Sequence, residues 1–199
     1  MSHLGPVAWP PRPITTERLV LRESEARDRP GLIDLSSSAE VGTYLGGPQA
    51  RDELERTVPE TPGRRAGFFV VELDGTMIGI VTFDRRDAER TGHVQPDAGE
   101  AELGYMFLPH SWGRGYATEA CAAALRWFTE ALPGEPVVLC TQAANIPSMR
   151  LAAKLGFTEV ERFEEFDADQ WLGVWSAGAN GVPAFSSPSS KPAAGSPRT

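Results

Sequence analysis

Cysteine is scarce in this chain, a basic surplus is missing, and no apolar run approaches the length a bilayer demands. The two cysteines, Cys121 and Cys140, make neither a disulfide framework nor a zinc spacing, and both read as small apolar groups inside a fold. The formal charge of −8 excludes a general nucleic-acid surface, which needs clustered Lys and Arg. It suits encounter with a cationic amine. The opening residues, MSHLGPVAWPPRPITTER, hold neither the apolar core nor the cleavage pattern of a signal peptide. The expected setting is the cytoplasm, with no membrane and no nucleic acid as partner.

What is present suits one domain at 199 residues. Residues 1–14 are proline-rich without periodicity and are expected to be flexible; 15–176 form the domain; 177–199, dominated by Gly, Pro, Ser and Ala, are expected to be a disordered tail. Thr16 to Arg22 alternates as a strand, and helices are expected over Arg29 to Ser36 and Gln49 to Val58. Gly67 to Leu73 and Thr76 to Phe83 flank Asp74-Gly75, which marks a hairpin because that turn needs positive φ. Further strands are expected over Pro136 to Cys140, Thr158 to Phe163 and Gln170 to Ser176.

The organising stretch is EAELGYMFLPHSWGRGYATEACAAALRWFTEAL, from Glu100 to Leu132. Glu102 to Leu108 reads as a strand closed by Pro109. Gly113 and Gly115 then flank Arg114, and an apolar stripe follows at helical steps through Ala117, Ala120, Cys121, Ala124, Leu125, Phe128 and Leu132. A helix starting directly from such a loop offers unpaired N–H groups and the positive end of its dipole, a candidate anion cradle. Without Gly-Lys-Ser/Thr it is not a Walker loop, and without a third glycine it is not a dinucleotide fingerprint. The same glycines also serve a plain strand-to-helix turn.

Trp112 to Ala120, after Glu102-Leu103-Gly104-Tyr105 and Pro109, resembles the acetyl-coenzyme A loop of the GNAT acetyltransferase superfamily. The likeness is nearest to its Rim-type branch of ribosomal-protein N-terminal acetyltransferases. The family pattern is Gln/Arg-x-x-Gly-x-Gly/Ala; Gly113 and Gly115 match, while His110 stands where Gln or Arg is usual. A second motif, Asn145-x-x-Ser148 with Lys154-x-Gly156-Phe157, resembles the other acetyl-coenzyme A motif of that superfamily, in the same order. Asn145 is equally a good helix N-cap and Gly156 a good helix stop. The resemblance runs from Thr16 to Ser176.

It implies an α/β (α+β) GNAT fold, a mixed, mostly antiparallel twisted sheet of six to seven strands splayed at the centre, with about four helices. It implies an N-acetyltransferase moving an acetyl group from acetyl-coenzyme A to a primary amine, a protein N-terminus or a small molecule, with no metal. A monomer or a homodimer is the expected state. A non-catalytic acyl-coenzyme A sensor or scaffold would keep the same glycines. The resemblance places pantetheine beside the backbone of Met106, Phe107 and Leu108, pyrophosphate on the N–H groups of Gly113, Arg114, Gly115, Tyr116, Ala117 and Thr118, and Asn145 on the pantetheine amide. It puts Ser148 near the departing sulfur. As general base, Glu102 on the central strand comes first, with Glu165 and Asp167 as alternatives; Glu102 also reads as a structural carboxylate, and the acidic run Glu164 to Asp169 more simply as a solvated turn. Tyr105 and Tyr116 read as packing residues.

Overall fold

Asp74 and Gly75 hold left-handed backbone angles (φ 50° and 80°), as a two-residue hairpin needs. They join β3 (Phe68–Leu73) to β4 (Thr76–Arg85). The structure, a computed structural model, describes residues 4–5, 7–97 and 99–177. Before this hairpin come β1 (Ile14–Thr15), β2 (Val20–Arg22), α1 (Arg29–Ser37), α2 (Ala39–Gly42) and α3 (Arg51–Thr57). After it come β5 (Ala101–Phe107), α4 (Tyr116–Ala131), β6 (Val137–Gln142), α5 (Ile146–Leu155), β7 (Thr158–Glu165) and β8 (Ala168–Trp175). The strands form one sheet, in the order β1-β2-β3-β4-β5-β6-β8-β7. Among the described residues only β5 with β6 is parallel.

This is the expected mixed, mostly antiparallel sheet, with eight strands among the described residues rather than six to seven and five α-helices rather than about four. The additional strand is the two-residue β1. Thr16 N–H donates to Leu19 O at 2.9 Å and closes a turn there, which shortens the strand expected from Thr16 to Arg22. The additional helix is α2, a single turn capped by Ser38 Oγ, which accepts from Val41 N–H at 3.2 Å.

Of the segment 1–14 expected to be flexible, residues 1–3 and 6 lie outside the described residues. Leu4 is fully buried, and Trp9 packs edge-on to Phe69 and Trp127 with ring centroids 5.0 and 5.7 Å away. Two isolated apolar residues make these contacts, and they leave no periodicity for a pattern to reveal. Of the expected tail 177–199, residues 178–199 lie outside the described residues.

Alternation along β5 sends Leu103 and Phe107 to one face of the sheet and Met106 to the other. On the first face lie α4 and α5, through Ala120, Ala124, Leu125, Phe128, Leu151 and Leu155. The expected stripe of α4 is buried from Ala120 to Leu125 without a break, because α5 covers a second side and the alanines allow close approach. On the other face, Leu32 and Leu35 of α1 meet Val70, Met77 and Ile80.

At the centre the sheet opens. β5 and β6 pair only at Ala101↔Val137 and Glu102↔Val138. Beyond that point β5 stays with β4 as far as Gly79↔Phe107, while β6 follows β8 to Gln142↔Gln170. The gap between the parting strands is where the remaining chemistry collects.

Candidate active site

The end of β5 is pinned before the chain reaches α4. Trp112 Nε1 donates to Phe107 O at 2.6 Å, and Ser111 Oγ donates to Leu108 O at 2.6 Å. Gly113 and Gly115 then take φ 74° and 81°, angles that cost a residue with a Cβ. Gly115 is the N-cap of α4 and offers no capping side chain. The first bond that closes the helix runs from Glu119 N–H to Gly115 O. Consequently no N–H from Gly113 to Thr118 has a protein acceptor among the described residues. A Cβ on Gly113 would meet nothing within 4 Å, so the approach is open. A row of amides at a helix N-terminus suits phosphate oxygens.

The free edge of β5 can be read from its register. Leu108 N–H donates to Ile78 O and Arg86 N–H to Glu100 O, each at 2.9 Å, and both bonds continue the β4–β5 ladder. The even-numbered residues of β5 are therefore bonded to β4, and the backbone groups of Tyr105 and Phe107 face the gap. Of the expected stretch Met106 to Leu108, Phe107 alone turns its backbone there, and because its carbonyl already accepts from Trp112, its N–H is the group left open. Tyr105 joins it. An extended ligand arm laid in the gap would find a strand edge to pair with.

Where β6 ends, α5 begins with Asn145 as its cap: Asn145 Oδ1 accepts from Ser148 N–H at 3.2 Å. The Asn145 Nδ2 group has no protein partner among the described residues. Ser148 is buried, and its Oγ accepts a 2.7 Å hydrogen bond from Tyr105 Oη. The Ser148 hydroxyl proton is thereby left to point elsewhere. Burial pushes the Tyr105 phenol up to about 12, against the opposing pull of its bond to Ser148. Tyr105 is thus a neutral donor throughout the working range of an enzyme. Sequence reasoning set Tyr105 aside; its alternation with Leu103 and Phe107 was the available signal for a side chain facing α5.

Glu102 lies on the opposite face, at the last rung before the strands part. Asp84 stands directly across from it on β4, a like-charge pair that would repel if left bare. Arg65 Nη1 meets Asp84 Oδ1 at 2.6 Å. The fully buried Arg86 donates to Glu102 Oε2 at 2.9 Å, and Arg90 Nη1 stands 3.6 Å from the same oxygen. Arg86 also bonds Gly92 O and Thr91 O. Glu102 Oε1 has no protein partner among the described residues. Glu165, at the end of β7, is engaged at both oxygens, by Arg90 Nη2 at 2.7 Å and Thr91 N–H at 3.4 Å. Burial alone would push its carboxyl up, but the Arg90 hydrogen bond and charge outweigh burial and hold it below the ordinary range. Asp167 sits in the β7–β8 turn at φ 55°. Cys121 and Cys140 are protonated thiols, each pushed up by burial.

His110, in a one-turn 3-10 helix (Pro109–Ser111), lies outside the amide row and lines a cavity of about 330 Å³ with Leu108, Met77 and Asp34. The structure therefore brings Tyr105, Asn145 and Ser148 together on one side of the gap, with Glu102, Arg86, Arg90 and Glu165 on the other. No described helix is long and apolar enough to cross a membrane.

Comparison with known proteins agrees with this geometry. Residues 18–158 match the family model described as acetyltransferase (GNAT) domain. The uncharacterized N-acetyltransferase YnaD of Bacillus subtilis (strain 168) is 30% identical over 146 residues, 72% of this chain and 81% of YnaD. Among solved structures, the RimL ribosomal L7/L12 alpha-N-protein acetyltransferase superposes with a TM-score of 0.63 at 17% identity, covering 83% of this chain and 94% of that one. An aminoglycoside acetyltransferase in complex with coenzyme A gives a TM-score of 0.65 at 15% identity, over 80% of this chain and 95% of that one. At those identities the two structures share the fold. The family match over most of the domain, together with the parted strands and the open amide row, makes this chain a member of the GNAT acetyltransferase family.

Proposed function

We propose that the protein moves an acetyl group from acetyl-coenzyme A to a primary amine, a protein N-terminus or a small molecule, by direct attack. The observation that carries this is the juxtaposition, around one gap, of an unpaired amide row, a free strand edge and a Tyr105–Ser148 donor pair. Amides from Gly113 to Thr118 hold the pyrophosphate. The backbone of Tyr105 and the Phe107 N–H pair with pantetheine, with Asn145 Nδ2 free for one of its amide carbonyls. Glu102 Oε1, directly or through a water, takes a proton from the ammonium. The freed nitrogen lone pair forms the C–N bond as the C–S bond breaks, the Ser148 hydroxyl gives its proton to the leaving sulfur, and the second proton shed by the nitrogen as the amide forms returns to the serine oxygen by way of water. Glu165 acts by positioning Arg90.

Thiol release from acetyl-coenzyme A, followed with N-terminal peptides, polyamines and aminoglycosides, tests the reading. Release is expected with at least one class. Binding of coenzyme A without release for any of them would reduce the protein to an acyl-coenzyme A sensor.

Gly115→Val is expected to weaken coenzyme A binding by about 10-fold or more, because a β-branched residue at φ 81° must distort the loop. Crowding is not the cause, since the nearest atom to an added Cβ is Arg18 Nη2 at 3.6 Å. Calorimetric titration checks it, and wild-type affinity would remove the cradle assignment.

A further inference from the structure

An acidic residue in the first turn of a helix normally turns back to cap the free amides. Glu119 does not. It is buried, and its oxygens are taken by a segment a hundred positions away in sequence. Oε1 accepts from Thr16 Oγ1 at 2.6 Å and Arg18 N–H at 3.0 Å. Oε2 accepts from Arg18 Nε at 2.8 Å and meets Arg18 Nη2 at 2.6 Å. Arg18 continues to the loop itself, where Nη1 donates to Arg114 O at 3.0 Å and the guanidinium lies 4.6 Å over the Tyr116 ring. Burial alone would push the Glu119 carboxyl up, but the bonds from Thr16 and Arg18 outweigh it and hold the group ionised, below the ordinary range.

Two consequences follow for the amide row. First, an ionised carboxylate one turn into α4 stands close to where the pyrophosphate is proposed to bind, and without a counter-charge it would repel that anion. Second, Gly113 and Gly115 give the loop freedom that something must restrict if the amides are to converge. One side chain answers both needs. Arg18 neutralises Glu119 through two guanidinium contacts that converge on Oε2, and it fastens Arg114 between the two glycines.

We propose that Arg18, locked to Glu119, is a positioning residue for the phosphate-binding loop, cancelling the helix carboxylate and holding the amides of Gly113 to Thr118 in register for the donor's phosphates. This rests on the donor reading given above. Arg18 touches no reacting atom.

The test compares coenzyme A with pantetheine, which carries the same thiol arm and no phosphate, by calorimetric titration of the full chain. The wild-type protein binds coenzyme A the more tightly. Arg18→Ala raises the dissociation constant for coenzyme A by about 10-fold or more while that for pantetheine shifts by less than about 2-fold. Arg18→Ala with Glu119→Gln recovers part of the loss, because the uncompensated charge is gone while Arg114 stays unfastened. A purely structural role would weaken both ligands alike and would not be relieved by the second substitution, so either result overturns the proposal. Arg18→Lys, which keeps the charge and loses the fork, serves if the alanine variant melts early, and it is expected to lose coenzyme A affinity alone. Equal wild-type affinity for the two ligands would remove the phosphate cradle, and the clamp with it. Preference for coenzyme A that survives in every Arg18 variant would remove the clamp and leave the cradle standing.

Discussion

Ser148→Ala is expected to lower turnover by about 100-fold while acetyl-coenzyme A affinity stays within about 2-fold. The hydroxyl is buried, and its oxygen already accepts from Tyr105 at 2.7 Å. Its proton is therefore free for charge that grows on a leaving sulfur. Ground-state thioester carries little of that charge, so binding should hardly register the loss. Tyr105→Phe removes the outer member of the pair and is expected to cost about 10-fold. The double variant should be scarcely worse than Ser148→Ala, because the two donors act as one unit. Burial pushes the Tyr105 phenol up to about 12, so it stays protonated around neutrality, and Tyr105→Phe should shift no limb of the pH profile there. Steady-state turnover beside calorimetric binding gives the comparison. Unchanged turnover in Ser148→Ala would leave that serine a helix residue and nothing more.

The parts of the fold that local chemistry dictates were legible in the chain. Asp74-Gly75 has the backbone freedom its turn requires, and Gly113 and Gly115 announce the positive φ that they adopt. The Asn145 cap and the Gly156 stop fix α5 at both ends. Other features lack a local cause. The β7–β8 turn uses Phe166 and Asp167 at φ 55° each, where no glycine or asparagine marks it, and Gln170 Nε2 stabilises it by donating to Glu165 O and Ala168 O. The Leu4 and Trp9 anchors depend on a cavity that only the finished sheet and α4 provide.

The site divides along the same line. Ser148, Asn145 and the glycine loop stand in motifs whose spacing is local. Arg18 with Glu119, Arg86 with Glu102, and Tyr105 with Ser148 are pairings set by strand register and helix placement, and they leave no periodic trace. Backbone parity adds a finer point: Met106 belongs to the expected stretch, yet its amide and carbonyl turn to β4 because Leu108 bonds Ile78.

Glu102→Gln should lower turnover at neutral pH by about 100-fold, within the range for loss of a general base, with acetyl-coenzyme A affinity almost unchanged. A free amine arrives at neutral pH mostly as its ammonium and cannot attack until that proton is gone. Glu102 stands at the last paired rung before β5 and β6 part, and both guanidiniums beside it engage Oε2, which leaves Oε1 open. Glutamine keeps an oxygen for Arg86, and Arg86 retains Gly92 O and Thr91 O, so the loop should stay in place; a thermal melt verifies this. The discriminating measurement is the pH profile. The variant should recover part of its activity as pH rises, because more of the acceptor is already neutral, while the wild-type enzyme gains less. Wild-type turnover across the pH range would reject Glu102 as the base. Glu165→Gln is the counterpart. Both Glu165 oxygens are engaged and its carboxyl lies below the ordinary range, so its loss should loosen Arg90 and lower turnover by only a few-fold at every pH, about the effect of one lost charge-assisted hydrogen bond. A pH-dependent defect in Glu165→Gln, paired with a silent Glu102→Gln, would exchange the two roles.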